Sequence, residues 1–204
     1  METKKVETGQ AISYGWTEVK KNFWYFVGLA VIVCLIESIT SGYGRSHYTL
    51  DILGIFLSTW MACGYTRLVL DYQAGNKRPL ADVFTQVKPY WRVFGANLII
   101  GIIVAIGFIL LIVPGIYLAL RFLFTIPLII DKNLGIEEAM KQSTAMTKGI
   151  KMPLFGFGLT ALGVIILGAI VFGVGVFVAL PVVWLAYISL YKRLSASPVP
   201  ANPQ

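Results

Sequence analysis

The longest apolar run in the chain extends from Met152 to Tyr191 and contains no Asp, Glu, Lys, Arg, His, Asn or Gln. A helix rises about 1.5 Å per residue and a bilayer core is about 30 Å thick, so a run of this length provides two membrane crossings. Gly173-Val174-Gly175 supplies a turn between them. Because basic residues flank both ends of the run, the pattern predicts a helical hairpin that enters and leaves the membrane on the cytoplasmic side.

A second apolar run, from Val93 to Ile130, is interrupted only by Asn97 and Arg121. Pro114-Gly115 predicts a turn that divides this run into another hairpin. Two further apolar segments, joined by a polar loop, lie upstream. The chain is therefore predicted to contain six transmembrane helices in three hairpins, at residues 23–41, 51–71, 92–113, 115–131, 152–172 and 175–192.

Each predicted hairpin is preceded by a short amphipathic segment, in which apolar residues at helical spacing lead into basic residues. An internal repeat and the ordinary basic linkers of a hairpin protein explain this pattern equally well. In both cases we expect short interfacial helices that rest their apolar faces on the lipid headgroups. The residues that mark them are Trp16, Lys20, Phe84, Lys88, Met140 and Lys148.

The composition agrees with a membrane protein. Hydrophobic residues make up 57% of the 204 residues, charged residues make up 13%, and the mean hydropathy is +0.75. A water-soluble chain of this size could not bury so much apolar surface. The predicted fold class is thus an all-α integral membrane protein, with one polytopic domain at residues 1–194 and a disordered, proline-rich tail at 195–204.

The distribution of charge predicts the orientation and limits the partners. The net charge is +7, but the basic residues flank apolar segments, as the positive-inside rule requires, so we expect no nucleic-acid binding. With both termini in the cytoplasm, Arg45 is the only basic residue in an external loop. The expected partner is the lipid bilayer. Another membrane protein, a cytoplasmic protein and a second copy of the chain are left open as further partners.

The sequence offers little material for catalysis. His47 is the only histidine, which excludes a metal site built on two histidines. Ser46, His47 and Asp51 lie close in sequence, but a short glycine-containing loop does not provide the scaffold of a catalytic triad. Phosphate-binding glycine motifs are absent. We therefore predict no catalytic residue, no cofactor and no metal site.

Ionisable residues inside the predicted spans are the more informative candidates, because a charge in hydrocarbon is costly and usually has a partner. With a turn at Pro114-Gly115, Arg121 lies about 9 Å below the outer boundary, and Glu37 lies at a similar depth. We hypothesise an ion pair between Glu37 and Arg121. The alternative is that Arg121 lines a cavity and meets an anionic lipid or substrate. Pro127 predicts a kink beyond Arg121.

A cluster of residues in the second half resembles a known family. It comprises Pro114-Gly115, Arg121, Pro127, Gly135-Ile136-Glu137-Glu138-Ala139, Ser143 and Thr147-Lys148-Gly149. The chain thereby resembles six-span prokaryotic membrane proteins of unknown function, a group related to the membrane domain of glycerophosphoryl diester phosphodiesterases. The resemblance implies a multi-pass protein of the plasma membrane. It implies no phosphodiesterase activity, since that chemistry belongs to a separate catalytic domain.

These observations lead to two functional hypotheses. The first is a non-enzymatic membrane scaffold or partner-binding module, because the chain has neither an evident catalytic set nor a soluble domain. The alternative is a small transporter, a channel subunit or a lipid-handling protein with a cavity near Arg121.

Overall fold

The computed structural model describes residues 7–40, 48–84, 89–170 and 175–196. Within these ranges all regular structure is helical, which confirms that the protein is all-α as predicted. The elements are α1 (Thr8–Lys21), α2 (Phe23–Thr40), α3 (Tyr48–Gln73), a 3-10 helix (Leu80–Phe84), α4 (Tyr90–Leu110), α5 (Ile112–Arg121), α6 (Thr125–Lys132), α7 (Ile136–Thr147), α8 (Lys151–Ile170) and α9 (Val176–Ala196).

Four helical segments in the described ranges are long and apolar enough to cross a membrane: Tyr90–Leu110, Ile112–Lys132, Lys151–Ile170 and Val176–Ala196. The second of them combines α5 and α6 across a short interruption. These segments match the last two predicted hairpins. Among the described residues of the first predicted hairpin, the apolar stretch Phe23–Leu35 of α2 is shorter than these segments. Four helical segments are thus long and apolar enough to cross a membrane, and the six-span topology stays a prediction.

The hairpin of α4 and α5 turns at Leu111, which is extended, and not at Pro114-Gly115 as predicted. Pro114 lies in the first turn of α5, where its missing amide costs nothing because that amide has no intrahelical partner. Gly115 serves close packing instead. A Cβ at Gly115 would lie only 2.5 Å from the ring of Phe108 on the facing helix.

Helix α9 lies at the centre of the molecule and contacts α1, α2, α3 and α8. In its apolar 18-residue stretch, 44% of the residues are buried in the protein, compared with 17% in the corresponding stretches of α4 and α8. Helix α1 packs along the second half of α9. Gly15 makes the closest approach, because a Cβ there would overlap the backbone of Val182 and lie 3.3 Å from the amide nitrogen of Ala186. An N-terminal segment is thereby fixed to the last helix of the chain.

The hydrophobic core is concentrated at one end of the helices. We call this the charged end, because Lys20, Lys21, Lys151, Lys192 and Arg193 lie at the helix termini there. The core takes residues from the first turns of α4 and α8 and from the last turns of α3 and α9. Toward the opposite end, α4, α5 and α8 expose large apolar side chains. This exposed surface is the one that a bilayer would cover.

The predicted interfacial helices use their apolar faces differently from the prediction. Ala11 and Val19 of α1, and Ala139 and Met146 of α7, are buried in the protein core and do not lie on an outer surface. The middle predicted segment forms the 3-10 helix. The physical reason is that a neighbouring helix removes the same apolar area from water as a lipid surface would. Of the predicted tail, Ser195 and Ala196 still belong to α9, and the remainder lies outside the described residues.

Candidate functional site at a break between two helices

A break separates α5 from α6 at residues 122–124. In a continuous helix the amide of Thr125 would donate to the carbonyl of Arg121. Here it donates to the carbonyl of Phe122 at 3.1 Å instead. The carbonyl of Arg121 and the amide of Phe124 consequently lose their helical partners, and buried backbone groups of this kind need replacements.

Helix α7 supplies these replacements from the side. The hydroxyl of Ser143 donates to the Arg121 carbonyl at 2.9 Å and accepts from the Phe124 amide at 3.2 Å. The Thr147 hydroxyl lies 3.4 Å from the same carbonyl, but its shortest hydrogen bond, of 3.0 Å, goes to the carbonyl of Ser143 on its own helix. Both α7 side chains are fully buried. The Ser143 hydroxyl therefore acts as an internal cap for both backbone groups at the break.

Pro127 explains why the break lies where it does. Proline has no amide hydrogen, so the carbonyl of Leu123, four residues earlier, receives no helical hydrogen bond. The hydroxyl of Tyr187 on α9 donates to this carbonyl at 2.6 Å. The predicted kink at Pro127 thus takes the form of a full interruption that α7 and α9 complete.

Arg121 ends α5 and is half-buried. Its Nε donates to the hydroxyl of Thr144 on α7 at 3.0 Å, and its guanidinium carbon lies 5.6 Å from the centre of the Phe122 ring. Tyr117 lies one turn earlier on the same face of α5. The ammonium of Lys151, at the first residue of α8, lies 3.4 Å from the centre of the Tyr117 ring. Three helices therefore bring two cations to one place.

This position changes the depth assigned to Arg121. The sequence placed it near the outer boundary, but the structure places it beside α7 and the first residue of α8, at the charged end. Because the turn is at Leu111, Arg121 lies ten residues along the returning helix, about 15 Å from that turn. The side chain of Glu37 lies outside the described part of the structure. The proposed Glu37–Arg121 ion pair therefore stays a prediction.

The described residues among those predicted to mark the interfacial helices belong to α1, to the 3-10 helix, and to α7 and the turn after it. Trp16 and Phe84 are 47% and 44% exposed, and the Lys20 ammonium lies 4.9 Å from the centre of the Trp16 ring. Met140 is half-buried in α7, where its carbonyl accepts the Thr144 hydroxyl. Lys148 is exposed in the turn after α7. Lys88 lies outside the described residues.

A polar network at the charged end joins α3 to its neighbours. Arg67 and Asp71 lie four residues apart on α3, a spacing that places them on one face of the helix. Asp71 accepts from the Nε of Arg67 at 3.1 Å and from the Nε of Arg78 at 2.8 Å. Arg67 reaches on to the carbonyl of Ile130 in α6. Asp71 is thus the acceptor on which two arginines converge, and the network fixes α6 against α3.

A second network ties α1 to α3. The hydroxyl of Tyr72 donates to Glu18 at 2.8 Å and accepts from the side-chain amide of Asn22 at 2.6 Å. Lys21 lies 2.7 Å from Glu18 on the same helix. The hydrogen bond from Lys21, and secondarily that from Tyr72, lower the pKa of Glu18 against the opposing effect of burial. Glu18 therefore stays ionised as the pH falls toward its ordinary range.

Two cavities lie between the apolar helices. One, of about 180 Å³, lies between α2, α3 and α9 and is lined in part by Cys34, Tyr65 and Trp184. The other, of about 440 Å³, is an open groove between α3 and α4. It is lined by Thr59, Phe94, Asn97, Leu98, Gly101, Ile102 and Ala105. Neither cavity includes Arg121, so these two do not supply the cavity that the sequence placed beside it.

Among the described residues, no group of three or more His, Cys, Asp or Glu side chains could hold a metal ion. Cys34 and Cys63 form no disulfide bond, and Cys63 is fully buried. The predicted absence of catalytic residues and cofactors stays a prediction.

Sequence reasoning did not identify the roles of Tyr187, Tyr117 and Lys151. Each acts through a neighbour on another helix, and Tyr187 contacts a carbonyl 64 positions away in the chain. Ser143 was part of the family-like pattern, without an assigned role. A serine at an apolar position of an amphipathic helix is the signal that could have identified this role, because a hydroxyl buried there needs a partner.

Comparisons with known proteins place this site in a wider group. No curated protein and no solved structure matches the chain. A family model, described as a protein of unknown function (DUF975), matches residues 94–197. The matched segment begins in α4 and ends after α9. It contains the break between α5 and α6, the side chains of Ser143 and Tyr187 that complete it, and Arg121, Tyr117 and Lys151. Nothing in the match connects the chain with glycerophosphoryl diester phosphodiesterase membrane domains. Because the match covers slightly more than half of the 204 residues, the chain belongs to the DUF975 family of proteins of unknown function.

Proposed function

We propose that this protein is a non-enzymatic membrane scaffold whose α3–α4 groove receives a transmembrane helix of a second copy of the chain. The main observation that supports this proposal is the position of Asn97. Its side chain is exposed on α4 in the middle of an apolar segment, and no hydrogen-bond partner is found for it in the described residues. The amide lies six residues beyond the exposed Trp91, about 9 Å deeper along the helix.

An unpaired amide facing lipid is costly, since hydrocarbon offers it no hydrogen bond. A partner helix removes this cost, and interhelical hydrogen bonds of this kind contribute about 0.6 to 2 kcal/mol. Carboxamides both donate and accept, so Asn97 can pair with Asn97 of a second copy. That self-complementarity favours a second copy over an unrelated helix.

The groove also has the shape that helix packing requires. Gly101 and Ala105 follow Asn97 at intervals of four residues, which places all three on one side of α4. Small residues at this spacing allow two helix backbones to approach closely. A Cβ at Gly101 would meet nothing within 4 Å in its own chain, so the space beside it is open.

We further propose that the protein lies in the plasma membrane with both termini in the cytoplasm. The lysines and arginines gathered at the charged end support this orientation. The alternative function is a small transporter, channel subunit or lipid-handling protein. In the described structure its support comes from the 180 Å³ cavity between α2, α3 and α9.

Single-molecule subunit counting in liposomes, over a range of protein-to-lipid ratios, tests the scaffold. Wild-type protein should form dimers. Gly101→Val should fill the groove and raise the dissociation constant about tenfold or more, and Asn97→Leu should raise it about threefold to tenfold. Gly163→Val on α8 is the matched control, because a Cβ there also meets nothing within 4 Å. Monomeric wild-type protein at every density, or equal dimerisation of all variants, would overturn the proposal.

A further inference from the structure

The cations beside Tyr117 have no neutralising partner in the described part of the chain. No carboxylate there lies within 4.0 Å of a nitrogen of Arg121, Lys148 or Lys151. On α7, Glu137 is paired with Lys141. Like charges held close together repel one another, and a bound anion relieves that repulsion.

Some N–H groups of Arg121 also form no hydrogen bond to the described residues. A guanidinium carries five N–H groups. Nε donates to Thr144, and the terminal nitrogens have no hydrogen-bond partner among the described residues. Thr144 holds the side chain in place, because its own hydroxyl donates to the carbonyl of Met140 at 2.8 Å. The free edge of the guanidinium therefore remains available for a two-point contact with an oxyanion.

The surroundings identify the source of that oxyanion. Tyr117 is 49% exposed, and Val113 and Met152, which continue the surface along α5 and α8, are 76% and 79% exposed. Aromatic and basic residues at the start of an apolar helix mark the depth of the lipid headgroups. A ligand bound here touches cations at one end and apolar surface beyond them. A phospholipid has this arrangement, whereas free phosphate has no part that uses the apolar surface.

We infer that Arg121, Lys151 and Tyr117 form a binding site for the phosphate of an anionic phospholipid, with the acyl chains lying along α5 and α8. Arg121 forms hydrogen bonds to the phosphate, and Lys151 adds a second positive charge. The excess negative charge of the headgroup gives the preference over a zwitterionic lipid. This site is separate from the α3–α4 groove and does not depend on the proposed dimer.

Native mass spectrometry of the purified protein in detergent, titrated with short-chain lipids, tests the inference. The probes are dioctanoyl phosphatidylglycerol, dioctanoyl phosphatidylcholine and inorganic phosphate. We expect one phosphatidylglycerol bound preferentially, with affinity roughly tenfold lower in Arg121→Gln and in Lys151→Gln. Lys141→Gln, which removes a cation from α7 outside the cluster, should bind as the wild type does.

Arg121→Gln also removes the hydrogen bond to Thr144, so a second variant separates folding from binding. Thr144→Val breaks the same hydrogen bond and keeps the cation, so its affinity for the lipid should fall by less than that of Arg121→Gln. Equal binding of the two lipids, an unchanged affinity in Lys151→Gln, or displacement of the lipid by equimolar inorganic phosphate would each overturn the assignment.

Discussion

The hydroxyl of Tyr187 donates to the carbonyl of Leu123 across 2.6 Å. That carbonyl is the one which Pro127 leaves without a helical donor. One side chain of the central helix thus satisfies the backbone group that a proline in another helix has released. The interruption between α5 and α6 is therefore a specific feature of the fold, and a hydrogen bond from α9 stabilises it.

Replacement of Tyr187 by phenylalanine should destabilise the protein by about 1 to 3 kcal/mol, because it leaves the buried Leu123 carbonyl unpaired. The free energy of unfolding in mixed micelles measures this. Pro127→Ala returns a backbone donor, so the cost of Tyr187→Phe should be smaller in that background. Tyr14→Phe is the control, since no hydrogen bond of its hydroxyl is found in the described residues. Equal costs in both backgrounds would show that the hydroxyl and the proline are not coupled.

Ser143→Ala should also destabilise the protein by about 1 to 3 kcal/mol, because it removes a donor from the Arg121 carbonyl and an acceptor from the Phe124 amide. Hydrogen exchange followed by mass spectrometry should show faster exchange of the Phe124 amide. Thr17→Ala provides the control, since the Thr17 hydroxyl is exposed and bonds only within its own helix. Unchanged exchange at Phe124 would mean that Ser143 does not support the break.

The contact between α1 and α9 should be sensitive to a single methyl group at one glycine. Gly15→Ala places a Cβ into the backbone of Val182, so it should destabilise the protein by at least about 1 to 3 kcal/mol or detach α1. Gly9→Ala lies on the same helix and meets nothing within 4 Å. It should be neutral or stabilising by up to about 1 kcal/mol, from helix propensity. Limited proteolysis near the N-terminus reports detachment, and equal protection of both variants would refute the close contact.

The sequence predicted the features that depend on local pattern. Long apolar runs identified the helices of the last two predicted hairpins. The turn between α4 and α5 was displaced by three residues, because proline is favoured both in a turn and in the first turn of a helix. Periodicity alone does not distinguish these two positions.

The features that depend on tertiary contacts were not predictable from one sequence. Ser143 caps a carbonyl 22 positions away, and Arg67 reaches a carbonyl 63 positions away. The amphipathic faces of α1 and α7 carried the right periodicity, but a lipid surface and a neighbouring helix bury such a face equally well. Only the packed structure shows that these faces belong to the core.

Glu18 should make the stability of the protein fall in acid. Its pKa is lowered in the folded state, chiefly by the hydrogen bond from Lys21. A carboxyl group with a lowered pKa stabilises the fold above its unfolded value, near 4.5, and this contribution is lost as the pH falls through the folded pKa. Glu18→Gln should therefore show a weaker loss of stability than the wild type as the pH falls below about 4.5.

The thermal midpoint of unfolding as a function of pH measures that difference. Glu137→Gln is the matched control, because the pKa of Glu137 is also lowered, by Lys141, but this pair is fully exposed. Solvent and salt screen such a pair, so its removal should change the pH profile little. A profile for Glu18→Gln that parallels the wild type would refute the role assigned to Glu18.

Asp71 should be the most sensitive acidic residue of the charged end. Its side chain is 11% exposed and accepts from Arg67 and Arg78, which are 32% and 40% exposed. Asp71→Asn leaves both cations without their shared counter-charge, and removal of one partner from a buried ion pair costs about 3 to 5 kcal/mol. Partial exposure of the arginines places the expected loss at the lower end of that range. Asp82→Asn should cost less, because Asp82 lies 3.7 Å from Arg78 and is 28% exposed. Unfolding free energies at two salt concentrations distinguish the cases, and equal losses in both variants would show that Asp71 is not the centre of the network.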